Sequence, residues 1–153
     1  MEKSIYIIAH NIRSAYNVGS IFRTAEAVGV KKVILGGYSP TPENSRVRKT
    51  ALGAEKWVDY EKSFQVWRAI DNLKKQGFQI IALEQSPQAI DYREFNPKFP
   101  LGLVLGNEVK GLSQKILNRC DRIIEIPMIG RKESLNVAVA FGIAVYRIFD
   151  KIA

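Results

Sequence analysis

Short continuous apolar runs alternate along the chain with longer segments whose apolar residues recur every three or four positions. The runs at 5–9, 32–35, 79–83, 101–105 and 122–126 are rich in Ile, Val and Leu, as expected of strands buried on both faces. Residues 57–60 read as a further short strand. The periodic segments 18–28, 64–76, 114–119 and 136–152 predict helices. Gly29 and Gly77 stand where helix C-caps are expected, each just ahead of a new strand. This alternation predicts an α/β fold, a mostly parallel sheet flanked by helices. No repeat or low-complexity tract interrupts it, so residues 1–153 read as one domain.

The last predicted helix departs from the usual pattern. Between Val137 and Phe149 the only charged side chain is Arg147, whereas a surface helix normally keeps a polar face. Such a helix requires cover on more than one side, and a symmetric second copy of the chain is the simplest cover. Gly142 within it would allow close approach of another helix. At its mouth, Ser134 reads as the cap, with Asn136 presenting its amide in the first turn. By the same reasoning Asn17 reads as the N-cap of the first helix, whose Val18, Ile21, Phe22, Ala25 and Val28 form an apolar face. Arg23 follows Phe22 in that helix. It is either a side chain directed to solvent or, facing the strand ends, a planar donor fork for phosphate or carboxylate.

Charge widens the picture. The 153 residues hold 23 Lys plus Arg against 15 Asp plus Glu, a net +8. That balance suits a polyanion such as RNA, and equally a plain basic surface. The densest cluster is Ser45 to Thr50, with Arg46, Arg48 and Lys49. A single cysteine, Cys120, excludes an internal disulfide, and with the single His10 it argues against a zinc site. The apolar run 5–9 is too short for a signal peptide or a membrane span, so a cytoplasmic protein without membrane attachment is expected.

Ligands of parallel α/β sheets sit beyond the carboxyl ends of the strands. Glycines and small polar residues crowd two such ends here, Gly106 to Gly111 and Pro127 to Gly130. The segment GNEVKGLS (106–113) has the glycine spacing of a phosphate-binding P-loop, but Leu112 occupies the lysine position, which argues against that chemistry. Neither a G-x-G-x-x-G fingerprint nor a G-x-S-x-G elbow is present. A tight left-handed turn ahead of a helix is the plainer reading of 106–111.

Three segments, NVGSIFRTAEAVGV (17–30), LVLGNEVKGLS (103–113) and IPMIGRKESLNVAVAFGIAVY (126–146), together resemble the SpoU, or TrmH-like, branch of the SPOUT methyltransferases. They stand in that family's order and spacing, and the resemblance covers almost the whole chain. It implies an α/β fold with a C-terminal deep trefoil knot and a homodimer formed through the C-terminal helix. It further implies methyl transfer from S-adenosyl-L-methionine, with no metal, to a ribose 2′-hydroxyl of tRNA or rRNA. Carried over residue by residue, it makes Arg23, Asn17, Glu108, Ser134 and Asn136 catalytic. It makes Leu83, Gly106, Asn107, Gly111, Ile126, Met128, Ser134 and Leu135 cofactor-binding, and Arg13, Arg23, Arg46, Arg48 and Lys49 RNA-binding. An added RNA-binding domain is not expected. Two other readings stay open: a SPOUT methyltransferase acting on a base nitrogen, and an inactive basic RNA-binding protein that retains the fold.

Overall fold

The computed structural model describes residues 3–152. Seven strands, β1 (Ile5–His10), β2 (Lys32–Gly36), β3 (Asp59–Ser63), β4 (Gln79–Leu83), β5 (Ile90–Asp91), β6 (Leu101–Leu105) and β7 (Arg122–Glu125), form one sheet. Their order is β3-β2-β1-β6-β4-β7-β5, and every neighbouring pair is parallel. The helices are α1 (Ala15–Ala27), α2 (Ser45–Ala51), α3 (Val66–Lys75), α4 (Gln114–Leu117) and α5 (Val137–Asp150).

The two-residue period of the strands divides the core in two. Ile5, Ile7 and Ala9 of β1 point to one face, where they pack with Ile21 and Phe22 of α1 and Phe141 and Val145 of α5. Ile8 points to the other, against Val66, Ile70 and Leu73 of α3 and Ile116 of α4. Phe22 and Phe141 are fully buried, each worth roughly 1.5–3 kcal/mol of transfer free energy. The expected C-terminal stops hold, since Gly29 (φ 73°) and Gly77 (φ 92°) adopt the left-handed conformation just past α1 and α3.

Several elements differ from the sequence reading. Trp57 is 81% exposed, and the strand begins two residues later as the sheet edge β3. The two-residue β5 and the helix α2 were not expected. α2 is seven residues long and buries only Val47 and Ala51, too short a stripe for periodicity to register. Its docking explains Gly19: a Cβ there would lie 2.2 Å from the Val47 carbonyl oxygen and 2.0 Å from Thr50 Oγ1. The close approach is latched by Thr50 Oγ1, which donates to the Tyr16 carbonyl at 2.8 Å.

Both helix caps are also relocated. α1 starts at Ala15, and its N-cap is Ser14, whose hydroxyl accepts from Asn17 N–H at 3.2 Å. Asn17 therefore lies inside the first turn with its amide free to point elsewhere. α5 is capped by Asn136, whose Oδ1 accepts from Ala138 N–H (2.9 Å) and Val139 N–H (3.2 Å). Ser134 stands exposed two residues earlier. The carboxamide wins because one oxygen there serves two otherwise unpaired helix donors.

α5 buries Phe141, Ala144, Val145 and Ile148 within the chain. Val139 (52% exposed), Ile143 (37%) and Tyr146 (47%) form a stripe on its other side. A Cβ on Gly142 would meet nothing nearer than Thr24 Cγ2 at 3.9 Å, so packing inside the subunit does not demand a glycine there. Among the described residues no helix is long and apolar enough to cross a membrane.

Candidate functional site

A hollow opens at the carboxyl ends of β4, β6 and β7 and is closed by the segment leading into α5. Leu83, Leu105, Leu135, Val137 and Ala140 give it apolar walls, and Glu84 and Glu125 bring carboxylates to it. The loop after β6 forms its floor. Gly106 is required there because a Cβ would lie 2.8 Å from the backbone carbon of Gly111. Gly111 has φ 66°, and a Cβ on it would meet Glu84 Oε2 at 2.3 Å. The loop is thus folded back on itself, closed by Gly111 N–H donating to the Asn107 carbonyl at 2.9 Å. Glu84 holds it from β4 by accepting from Leu112 N–H at 2.7 Å. The tight left-handed turn expected for 106–111 is present, and it is also the floor of the hollow.

A second set of contacts binds the three sequence segments together at the rim. Glu108 Oε1 accepts from Arg13 N–H and Oε2 from Ser14 N–H, both at 2.8 Å. Oε2 also accepts from Asn17 Nδ2 at 3.0 Å. Asn17 Oδ1 in turn accepts from Asn136 Nδ2 at 3.1 Å, and Asn136 caps α5. The helix starts of α1 and α5 and the loop after β6 are therefore connected by one carboxylate and two carboxamides. Burial alone would push the Glu108 carboxyl up, but the Arg13 and Ser14 N–H groups and the Asn17 amide outweigh it and hold it below its ordinary value.

Since its folded-state value lies below the ordinary 4.5, the stabilisation from Glu108 is complete above pH 4.5 and is lost as pH falls through the lowered value. Glu108→Gln should therefore cost about 1 kcal/mol at pH 7 after allowance for solvent exposure, roughly 2–4 °C in Tm. The gap between wild type and variant should close in acid. Calorimetric scans from pH 7 to pH 3 check this, and a gap that stays constant would contradict it.

Of the residues expected to hold a cofactor, Leu83, Gly106, Asn107, Gly111, Ile126, Ser134 and Leu135 line the hollow, whereas Met128 does not. Asn107 contributes structure as well as lining. Its Oδ1 accepts from Val109 and Lys110 N–H, and its Nδ2 donates to the Asn11 carbonyl and to Tyr38 Oη. Arg23 is exposed on α1 and absent from the walls of the hollow, and its side chain makes no hydrogen bond or ion pair among the described residues. Arg13 and Arg46 line a second, wider hollow that shares Asn107 and Glu108 with the first. Arg48 Nη1 donates to the Pro42 and Glu43 carbonyls at 2.7 and 2.8 Å, so its guanidinium holds the loop before α2. Lys49 is exposed on that helix, away from both hollows.

Sequence reasoning missed Glu84, Gln85 and Glu125 as lining residues. Their positional signal was there, since each lies at or just beyond a strand end. The role of Glu84 was hidden because its partner, Leu112, lies 28 positions further along. Among the described residues no group of three or more His, Cys, Asp or Glu could hold a metal ion.

Comparison with known proteins places this geometry. The SpoU rRNA Methylase family model matches residues 4–146. A Staphylococcus saprophyticus relative, named for the TrmH family of tRNA/rRNA methyltransferases, is 34% identical over 148 residues, which make up 97% of this chain and 59% of that one. A tRNA (guanosine(18)-2′-O)-methyltransferase of Aquifex aeolicus is 36% identical over 146 residues, 95% of this chain and 68% of that protein. The crystal structure of an AdoMet-bound rRNA methyltransferase from Sinorhizobium meliloti superposes with a TM-score of 0.92 at 25% identity, covering all of this chain and 58% of the other. The chain thus spans about three fifths of the length of several relatives it matches. The parallel α/β sheet expected from the sequence is also the fold of this solved SPOUT-class methyltransferase.

Proposed function

The chain belongs to the SpoU rRNA methylase family, and on that footing we propose that it transfers a methyl group from S-adenosyl-L-methionine to a ribose 2′-hydroxyl of tRNA or rRNA. The observation that carries this is the Glu108–Asn17–Asn136 connection at the rim of the strand-end hollow. It joins the three segments at one mouth, with the apolar walls and carboxylates on one side and basic Arg13 and Arg46 on the other. The hollow fits the cofactor: Leu83, Leu135 and Val137 suit a purine face, and Glu84 and Glu125 suit a cationic sulfonium and ammonium. The chemistry supplied by the bound cofactor is an electrophilic methyl group on that sulfonium.

What the protein adds is orientation of the ribose oxygen, exclusion of water and stabilisation of developing charge. Glu108 is a strut for the start of α1 and not the proton acceptor; the 2′-hydroxyl proton leaves to the substrate's own phosphate or to water as the O–CH3 bond forms. Both Glu108 oxygens are engaged, and its carboxyl is held down, opposite to the shift a general base needs. Asn17 and Asn136 are positioning residues, and Ser134 and Leu135 close over the cofactor from the α5 side. Arg23 serves the acceptor side and reaches it from a second copy of the chain. Val137 and Ala140 of α5 line the hollow while Val139 and Ile143 form the exposed stripe. A copy seated on that stripe therefore stands at the mouth. The family's trefoil knot and a homodimer through α5 belong to the same proposal.

Calorimetric titration with S-adenosyl-L-methionine in chelator is expected to show saturable binding, and mass-spectrometric mapping should find a ribose methylation lost from cells lacking the protein. Binding only after magnesium is restored would overturn the cofactor site. A lost mark on a base nitrogen would move the activity to that branch, and binding without any lost mark would favour the inactive RNA-binding protein.

A further inference from the structure

The turn after β2 carries more structure than a connection requires. Asn11 (φ 55°) and Gly37 (φ 61°) are both left-handed and face one another across the ends of β1 and β2. A Cβ on Gly37 would lie 1.8 Å from Asn11 Oδ1, so only glycine leaves room for the Asn11 carboxamide. The backbone polar groups around Tyr38 are committed in turn. Gly37 N–H donates to the Ser63 carbonyl (2.8 Å), Tyr38 N–H to Asn11 Oδ1 (3.1 Å) and Ser39 N–H to the Gly36 carbonyl (3.1 Å). The buried Ser39 hydroxyl accepts from Ile12 N–H at 2.8 Å and donates to the Ala9 carbonyl at 3.2 Å. Lys62 Nζ holds the Ser39 carbonyl.

All of this fixes a residue whose side chain is 59% exposed. Tyr38 is oriented at its far end as well, because Oη accepts from Asn107 Nδ2 at 2.8 Å. Its ring is thus immobilised at both ends yet left open over the wider hollow, with Arg13, Arg46 and Lys110 around it. A tyrosine needed only for its hydroxyl bond would gain from packing its ring. A bare, oriented aromatic face among cations is instead the arrangement that receives a base, with the phosphates on either side of it paired.

We propose that Tyr38 is a stacking platform for an unpaired base of the acceptor RNA, set in register with the methyl-transfer hollow through Asn107. The inference rests on the RNA-methyltransferase reading above and narrows its substrate to a looped or single-stranded segment, since a base inside a duplex offers no free face. Asn107 supplies the register: its side chain organises the loop that floors the hollow and also holds the Tyr38 hydroxyl. Rotation of the ring is already restricted before RNA arrives, so ordering the platform adds little to the cost of binding.

The test measures binding of the full chain to a fluorescein-labelled 12-nucleotide oligouridylate and to a 12-base-pair RNA duplex at one salt concentration. Tyr38→Ala and Tyr38→Leu should each lose about tenfold in affinity for the single strand and stay within about twofold on the duplex. Tyr38→Phe, which keeps the aromatic face, should remain within about threefold of wild type on both. Equal losses on strand and duplex, no loss at all, or a Tyr38→Phe defect as large as that of Tyr38→Ala would each overturn the platform. Methyl transfer to total tRNA and rRNA by the wild-type protein separates the two levels. A wild type that transfers nothing undoes the proposed activity. An active wild type whose KM for RNA is unchanged in Tyr38→Ala undoes only this inference.

Discussion

Arg23→Ala is expected to lower methyl transfer by about 100- to 1000-fold in kcat, the usual cost of deleting one donor aimed at developing charge, with the Kd for S-adenosyl-L-methionine unchanged within a few-fold. The reason lies in where α1 places the side chain. Arg23 is exposed, contributes nothing to the walls of the hollow, and sits on a helix whose first turn is already fixed by Glu108 and Asn136. A guanidinium is a donor only, so it cannot take the ribose proton; the role proposed for it is to clamp a phosphate and polarise the 2′-oxygen. Arg23→Lys should recover little, because an ammonium lacks the planar two-pronged geometry. Mixing Arg23→Ala with Gly106→Val protein tests the crossing directly. If Arg23 acts on the other copy's hollow, mixed dimers regain transfer that neither parent shows. Loss of cofactor binding in Arg23→Ala would instead move the residue to the adenosyl side.

The second large effect is expected at the exposed stripe of α5. Val139→Asp and Ile143→Asp should each yield monomer or insoluble protein by light scattering, with transfer lost in parallel. Both positions are exposed within the chain, one on each side of Gly142, and both border a trough shared with Asn17, Ser20 and Thr24 of α1. An unpaired carboxylate sealed in an apolar contact costs several kcal/mol per subunit. In an isolated chain the same substitution on an exposed surface would cost well under 1 kcal/mol. The two cases therefore differ by enough to decide the matter. Variants that remain soluble, active and of wild-type mass would show that the stripe is not the interface. The proposed dimer would also give Gly142 a reason: with only Thr24 Cγ2 near a would-be Cβ, its smallness is not demanded by packing within the subunit.

The alternation of apolar runs and 3.6-residue periods was enough to place five of the seven strands and four of the five helices, because each of these elements buries its own contiguous stripe. The order of the three segments was enough for the family. Arg23, Glu108 and Asn136 were singled out through that same resemblance; the structure brings Glu108 and Asn136 together at the rim and leaves Arg23 exposed outside the hollow. Short elements were not legible: α2 buries two side chains and β5 spans two residues, so neither carries a period.

Roles depended on distance in space. Asn17 looked like a cap and is a link, since Ser14 three residues earlier holds the cap position and frees its amide to reach Glu108, 91 positions away. Glu108 was expected among the catalytic residues by resemblance, and three N–H donors from the α1 start engage its two oxygens. The roles of Glu84 and Tyr38 gave no signal, because the partners that define them, Leu112 and Asn107, are brought to them only when β6 inserts between β1 and β4. The sequence by itself determined the longer strands and helices and the apolar final helix, which follow from local periodicity and composition, and the family, which follows from the resemblance of its three segments. Which polar atoms meet was decided by the crossing order of the sheet, since a hydrogen bond between residues 28 to 119 positions apart leaves no periodic trace in either partner's neighbourhood.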